Sequence, residues 1–358
     1  MSERTKTILA WSIIPQILIV KGLSFFPGFI ESVYSNGFYL LVSKVMRYTF
    51  GWLPFSFGDI IYTLAGVYII RWVVKNAWRI RKYPKQLLRD VMMAISLVYF
   101  SFHLLWGFNY YRKPLHEVLD LETDYSTEQL LEVLDTLTIY TNAFHNNLAG
   151  SDTIKISMPY SKVELLNKST KGYGELQQMY PHLNPAPPSV KRSLYSLPLT
   201  YMGFSGYLNP FTHEAQIDGL IPLHKYPVTA CHEQAHQIGY AAENEANFIG
   251  YLAAVHNQDL YFQYSANIFA IKHCLFELAR RDQELFEIKR DALNLGILKN
   301  YEEERLFWMG YQNPLEPIFK ETFNTFLKAN SQTDGIKSYS YVVALLVNYI
   351  KKEGVPKR

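Results

Sequence analysis

Two apolar stretches, residues 55–74 and 91–108, flank a strongly basic loop, and no other feature restricts the chain as much. The first stretch carries only Asp59 and Arg71, near its two ends, and the second carries no charge apart from His103. Each is about the ~20 residues that a helix needs to cross hydrocarbon. From Arg71 to Arg89 lie Arg71, Lys75, Arg79, Arg81, Lys82, Lys85 and Arg89, with no acidic residue. Without these seven the chain has 28 basic and 32 acidic residues, a net of −4 against +3 for the whole, so the basic character is local. Basic loops stay on the cytoplasmic side of a membrane. The loop is therefore expected inside, beside a membrane, and no nucleic-acid partner is called for.

A third stretch, residues 8–26, is interrupted by Pro15, Gln16 and Lys21. It reads as a first span rather than a cleaved signal peptide, because no small-x-small cleavage site follows and further spans do. With three spans the N-terminus, carrying Arg4 and Lys6, is inside, and everything after about Tyr110 faces outside. The expected location is the cytoplasmic (inner) membrane, crossed several times, with membrane lipid as one partner and an extracytoplasmic C-terminal part. Residues 33–46, apolar with polar interruptions, read as a helix lying at the interface. A hydrophobic content of 49% with 27 Tyr and 22 Phe fits a membrane protein, while a mean hydropathy of −0.07 limits the membrane portion to part of the chain.

After Tyr110-Tyr111-Arg112-Lys113-Pro114, aromatic and basic residues suited to an interface, the composition changes. Ser126 and Gln129 form a capping box, and Leu130, Leu131, Val133, Leu134 and Leu137 recur at helical spacing towards Asn147. Pro181, Pro185, Pro187 and Pro188 punctuate a loop-rich middle, and residues 189–222 suggest short strands and turns, with His213 to Ile217 as an edge strand. From Pro227 the pattern is helical almost to the end, broken near Gly296, Asn313-Pro314 and Asp334-Gly335. The expected fold is mainly α (α+β): a membrane region over residues 1–112, then a mostly helical domain with a small sheet over residues 113–358. Cys231 and Cys274 stand in no C-x-x-C pair, which argues against a disulfide framework or a cysteine metal site. Cys231 reads as a small buried residue.

Chemistry is concentrated in His232-Glu233-Gln234-Ala235-His236. On a helix, residues four apart share a face, so both imidazoles point at one ion while Glu233 reaches a water beside it. Catalytic zinc needs three protein ligands and an open position. Glu243 is the third candidate. On a straight helix it would lie about 10 Å beyond His236, out of reach of a bond of ~2 Å, so the helix must end first. Gly239 supplies the left-handed residue that ends it. Metzincins place a glycine at the same offset, but their histidine ligand is replaced here by Ala242. On a second helix Glu243 and Asn247 share a face and Glu245 points away, so Asn247 is expected to orient a ligand from behind.

At these residues the chain resembles gluzincins, whose third ligand is the glutamate of an E-x-x-x-D segment, with Asn247 in place of the aspartate. The run from Glu243 to Asn247 also looks like the one in ImmA/IrrE-type metallopeptidases. Across most of its length the chain resembles an uncharacterised family of bacterial membrane proteins, a domain of unknown function grouped with the zincins. That match is carried by Trp106-Gly107-Phe108-Asn109-Tyr110-Tyr111-Arg112, the H-E-x-x-H region, and residues 328–339. It implies three N-terminal spans and a zincin-like domain.

Tyr339, His213, His224 and His256 are candidates to stabilise an oxyanion, Tyr339 first among them. His213 and His224 read more simply as surface or hydrogen-bonded loop histidines. Residues 203–217 offer an edge on which a peptide adds as a strand, and the stretch from Tyr339 to Tyr349 reads as a C-terminal core helix. The leading expectation is a membrane-anchored zinc metallopeptidase acting on peptide or protein substrates of the envelope, with His232, His236 and Glu243 on Zn2+ and Glu233 activating water. The rival is a non-hydrolytic metal-binding sensor or scaffold, and a third reading is a chance motif without metal. A site inside the bilayer is disfavoured by Lys225, Glu233, Gln234, Gln237, Glu243 and Glu245.

Overall fold

The computed structural model describes residues 1–185, 187–330 and 341–356. Among these the protein is mostly helical, with one three-stranded sheet. Tyr339 and most of residues 328–339 lie outside the described residues.

Three helices are long and apolar enough to cross a membrane: Glu3–Leu23, Phe57–Asn76 and Pro84–Leu105. The third starts earlier than its charge pattern suggests because Pro84 opens it, and it stops at Leu105 because Trp106 leaves helical geometry at φ −153°. Apolar side chains such as Leu18, Leu64, Ile70, Leu88 and Val98 are exposed along these helices, a surface suited to hydrocarbon. The first and third spans are joined by a polar cluster. Ser12 and Ser96 hydroxyls lie 2.9 Å apart, and Gln16 donates to Ser96 at 2.9 Å. At their ends Arg89 pairs with Glu3 at 2.5 Å and Arg79 with Asp90 at 2.7 Å, which places the N-terminus and the basic loop at one end of the bundle.

The stretch expected at the interface is helical, running as a π-helical segment Ile30–Phe38 into Tyr39–Phe50, here the docking helix. Its outward side chains Val33, Leu41, Val45 and Tyr48 are apolar and exposed. Its inward face, Tyr39, Ser43 and Arg47 at four-residue spacing, is buried against the remainder of the protein. The more polar face is thus the packed one and the apolar face the free one, the reverse of a helix on a soluble protein.

The C-terminal part is a helical bundle. Thr127–Ala149, capped by the Ser126/Gln129 box, packs on Leu260–Arg281. Lys162–Met179 and Val342–Glu353 enclose Glu243–Val255, and Leu134, Leu137, Tyr251, Leu252, Leu278 and Leu346 form the centre of this core. Three short strands complete it: β1 Val190–Arg192, β2 Gly206–Leu208 and β3 Ala215–Ile217, in the order β1-β3-β2. β1 runs parallel and β2 antiparallel to β3, with Tyr207 opposite Gln216. The segment ending at Ile217 is therefore the central strand, not an edge. Its residues are fully buried, and a parallel partner 25 positions earlier captures the side that local alternation leaves free.

The sheet also holds the second span. The Glu214 carboxylate accepts from the backbone of Phe57 at 3.1 Å and of Gly58 at 2.6 Å, the unpaired first-turn N–H groups of that helix. Lys191 lies 2.5 Å from Glu214 and donates to the carbonyls of Phe50 and Phe55, so the buried acid is neutralised where it acts. Asp59 accepts from Ser193 Oγ at 2.9 Å, from Leu194 N at 2.6 Å and from the Tyr207 hydroxyl.

Candidate metal centre

The motif helix spans Tyr226–Gln237, with Pro227 in its first turn, where a missing N–H costs nothing. Helix Tyr226–Gln237 packs most closely against Glu243–Val255, which carries Glu243 in its first turn. Gly239 has φ +88°, the conformation that ends the motif helix and lets the chain return. The return brings the three candidate ligands together. His232 Nε2 lies 3.4 Å from Glu243 Oε2, and His236 Nε2 lies 3.8 Å from Glu243 Oε1. The imidazole centroids are 4.8 Å apart with planes at 86°. Ligand atoms on a tetrahedral zinc are separated by about 3.3 Å, so one ion fits among them after small adjustments.

Glu233 Oε1 is 4.0 Å from His232 Nε2, and one oxygen of this carboxylate and one nitrogen of each imidazole lie within 4.8 Å of one another. Its neighbour on the other side is β2. A side chain at Gly206 would start 2.6 Å from Glu233 Oε1, so the glycine leaves the space that the carboxylate occupies. Glu233 Oε2 is buried and has no hydrogen-bond partner among the described residues. Burial pushes the Glu233 carboxyl up to about 8, with the Glu243 charge adding and His232 opposing.

His236 donates Nδ1–H to the Tyr240 carbonyl at 2.7 Å, which leaves Nε2 with its lone pair facing Glu243. Burial pushes His236 down to about 4, so the ring is neutral, as a ligand must be. For His232 burial acts in the same direction but is outweighed by the neighbouring Glu243 and Glu233, and its value is raised. Its Nδ1 is buried with no hydrogen-bond partner among the described residues, and Asn247 lines the same cavity with its Nδ2 likewise unpartnered there. Two neutralisable nitrogens, a bridging carboxylate and an unpartnered buried carboxylate oxygen together fit a divalent cation such as zinc.

The end of the motif helix has a second set of partners that sequence reasoning missed. The last carbonyls of a helix have no partner within it. Here Tyr39 OH donates to Gln237 O at 2.9 Å, Ser43 Oγ to the same oxygen at 3.1 Å and Trp106 Nε1 to His236 O at 3.4 Å. Arg112 Nη1 donates to Gly239 O at 2.9 Å. The guanidinium is held in place by both oxygens of Glu31, at 2.9 and 2.6 Å, and lies 3.9 Å from the Tyr240 ring centre. All four donors precede residue 113. The signal for two of them was the Trp106 to Arg112 run, conspicuous in sequence but without a local period to reveal its target.

The remaining candidates scatter. His213 is not a surface or hydrogen-bonded loop histidine. It is fully buried, stacked on Tyr39 at 5.3 Å, and neither ring nitrogen has a hydrogen-bond partner among the described residues. Burial pushes it down to about 3, away from any charged role. His224 is also buried, 3.4 Å from Asn300, and lines a cavity. His256 lies near Leu252 O at 2.8 Å. Cys231 is buried, as expected.

A cavity of about 930 Å3 opens over the metal ligands and Glu233. Its walls include β2, Tyr110, the buried group of Lys225, Lys272 and Glu304, and residues of two spans. β2 is the edge strand facing it, so the edge expected within residues 203–217 is Gly206–Leu208.

A family model described as a protein of unknown function (DUF3810) matches residues 34–347, most of the chain. No curated protein and no solved structure matches it. The match extends from the docking helix to the C-terminal helix, and the chain belongs to this family.

Proposed function

We propose that this DUF3810 protein is a membrane-anchored, zinc-dependent hydrolase of peptide or related amide bonds, working on the face of the membrane away from the basic loop. One observation carries the reading: the two oxygens of Glu243 face the Nε2 atoms of His232 and His236, one each, at 3.4 and 3.8 Å. An ion held by these residues supplies Lewis acidity to a water and to the scissile carbonyl. The chain's own groups do the rest. Glu233, raised by burial, takes a proton from the attacking water and returns it to the departing nitrogen. The free edge of β2 holds an extended peptide by main-chain hydrogen bonds and presents it across Glu233. The Tyr240 carbonyl fixes the His236 imidazole.

Metal content of the detergent-purified protein tests the proposal. Near-stoichiometric zinc is expected, falling at least tenfold in Glu243→Ala. Glu233→Gln should retain zinc and lose hydrolysis of a peptide library by a factor of 100 or more, and a zinc-loaded Glu233→Gln protein with full activity refutes the role given to Glu233. Protein that takes up no zinc even when it is offered refutes the whole reading.

A further inference from the structure

The cavity over the metal ligands has a second wall that a soluble peptide does not need. Phe102 comes from the third span and Tyr62 from the second, and both line the cavity that reaches His232 and Glu233. Tyr62 is five residues inside its helix and Phe102 three residues before the end of its own. At 1.5 Å per residue these positions lie about 7 and 5 Å below the span ends, at the depth where headgroups give way to hydrocarbon.

Between this depth and the ligands the wall is aromatic. Phe102 and Tyr110 both pack on Phe326, at 5.9 and 6.0 Å between ring centres, Phe326 stacks on Phe323 at 6.3 Å, and Phe323 packs on Phe204 at 5.2 Å. Phe323 and Phe326 belong to helix Glu316–Ala329, whose Ile318 is 61% exposed. One continuous space therefore has a polar end at Glu233 and an apolar end at the membrane boundary. The molecule that matches it is amphiphilic.

Volume selects the kind of anchor. A helix about 10 Å across fills roughly 800 Å3 for each 10 Å of its length, which would leave little of the 930 Å3 for a peptide on β2. A single hydrocarbon chain beside an extended peptide fits. Resting on the hydrolase reading above, we propose that the substrate is a lipid-modified peptide, its acyl chain running along Phe102, Phe204, Phe323 and Phe326 while the peptide part lies on β2.

The full-length Glu233→Gln protein in lipid nanodiscs, irradiated with a palmitoylated tripeptide carrying a diazirine at mid-chain, tests this by mass-spectrometric mapping. Label is expected on the four phenylalanines or their immediate neighbours, reduced at least fivefold by excess unlabelled palmitoyl-tripeptide and unchanged by the free tripeptide. Label confined to lipid-facing residues such as Leu64 and Val98 overturns the proposal. So does stronger cavity labelling by the same tripeptide on an apolar helical anchor. The two readings fail separately: cavity labelling with no hydrolysis of palmitoyl-tripeptide by the unaltered protein refutes the hydrolase and keeps the acyl site, whereas cleavage of soluble peptides without cavity labelling does the opposite.

Discussion

The two ends of the motif helix are held by different halves of the chain. Towards the N-terminal end the partners come from helices beyond residue 113: Ser265 Oγ accepts from Val228 N at 3.3 Å and Tyr173 OH donates to Cys231 O at 2.6 Å. At the C-terminal end they are Tyr39, Ser43, Trp106 and Arg112. The difference lies in what each set satisfies. Cys231 O already accepts within the helix, so Tyr173 adds a second bond, whereas at the helix end His236 O has a local donor, Gly239 N at 3.0 Å, and Gln237 O is met by Tyr39 and Ser43. His236 sits at this second end. The residues before 113 therefore do more than hold the protein at a membrane, because they complete the turn that carries the second imidazole to Glu243.

Removing one set should break the comparison most completely. A fragment of residues 113–358 loses all four donors together with the apolar cluster of Tyr39, Trp106, Tyr110 and Tyr111 around Ala241. It is expected to bind less than a tenth of the zinc of the full chain, and a soluble fragment with stoichiometric zinc would show that the two ends are not unequal after all. Next in size is Arg112→Met. Glu31 is left without its cation and Gly239 O without its donor, at a cost of about 3–5 kcal/mol, read as a lowered unfolding midpoint in detergent. Adding Glu31→Gln should recover part of the loss.

A finer contrast comes from deleting hydroxyls. Tyr39→Phe combined with Ser43→Ala strands the Gln237 carbonyl and is expected to cost about 1–3 kcal/mol with weaker zinc binding; Tyr173→Phe removes a supplementary bond, costs about 0.5–1.5 kcal/mol and leaves zinc binding unchanged. Equal effects on zinc would erase the distinction. The smallest effect is a pH dependence at the N-terminal end, where Glu304 is bonded to Lys225 at 2.8 Å and Lys272 at 2.6 Å. Burial raises this carboxyl, but the two ammonium groups outweigh it and hold the carboxyl well below its ordinary range. A depressed folded value means stability that is present above the unfolded value of about 4.3 and is lost as pH falls below it. Between pH 5 and 3 the unaltered protein should therefore lose stability more steeply than Glu304→Gln, measured by denaturant midpoints.

What the sequence made legible follows from range. The capping box at Ser126, the three apolar helices, the left-handed Gly239 and the shared face of Glu243 and Asn247 are all decided within a few residues, and the fold contains each of them. The central position of β3 depends on Val190 pairing with Ala215, which no alternation encodes. Reading His213 as a surface or hydrogen-bonded histidine failed for the same reason: a ring that packs against it belongs to Tyr39, 174 positions earlier. The donors to the motif helix lie 127 to 198 residues from their acceptors. Tyr39 and Ser43 interrupt a largely apolar helix, and nothing local marks what they bond.

The Lys191–Glu214 pair has a mechanical consequence. Glu214 grips the first turn of the second span from the central strand's leading edge, and in the same turn Asp59 binds Tyr207 on the strand beside the cavity. Span and sheet form a single lever with no slack loop at the fulcrum. Apolar helices respond to a change in bilayer thickness by tilting. A tilt of this one carries the edge strand with it, so the width of the gap between strand and Glu233 is tied to the thickness of the surrounding lipid.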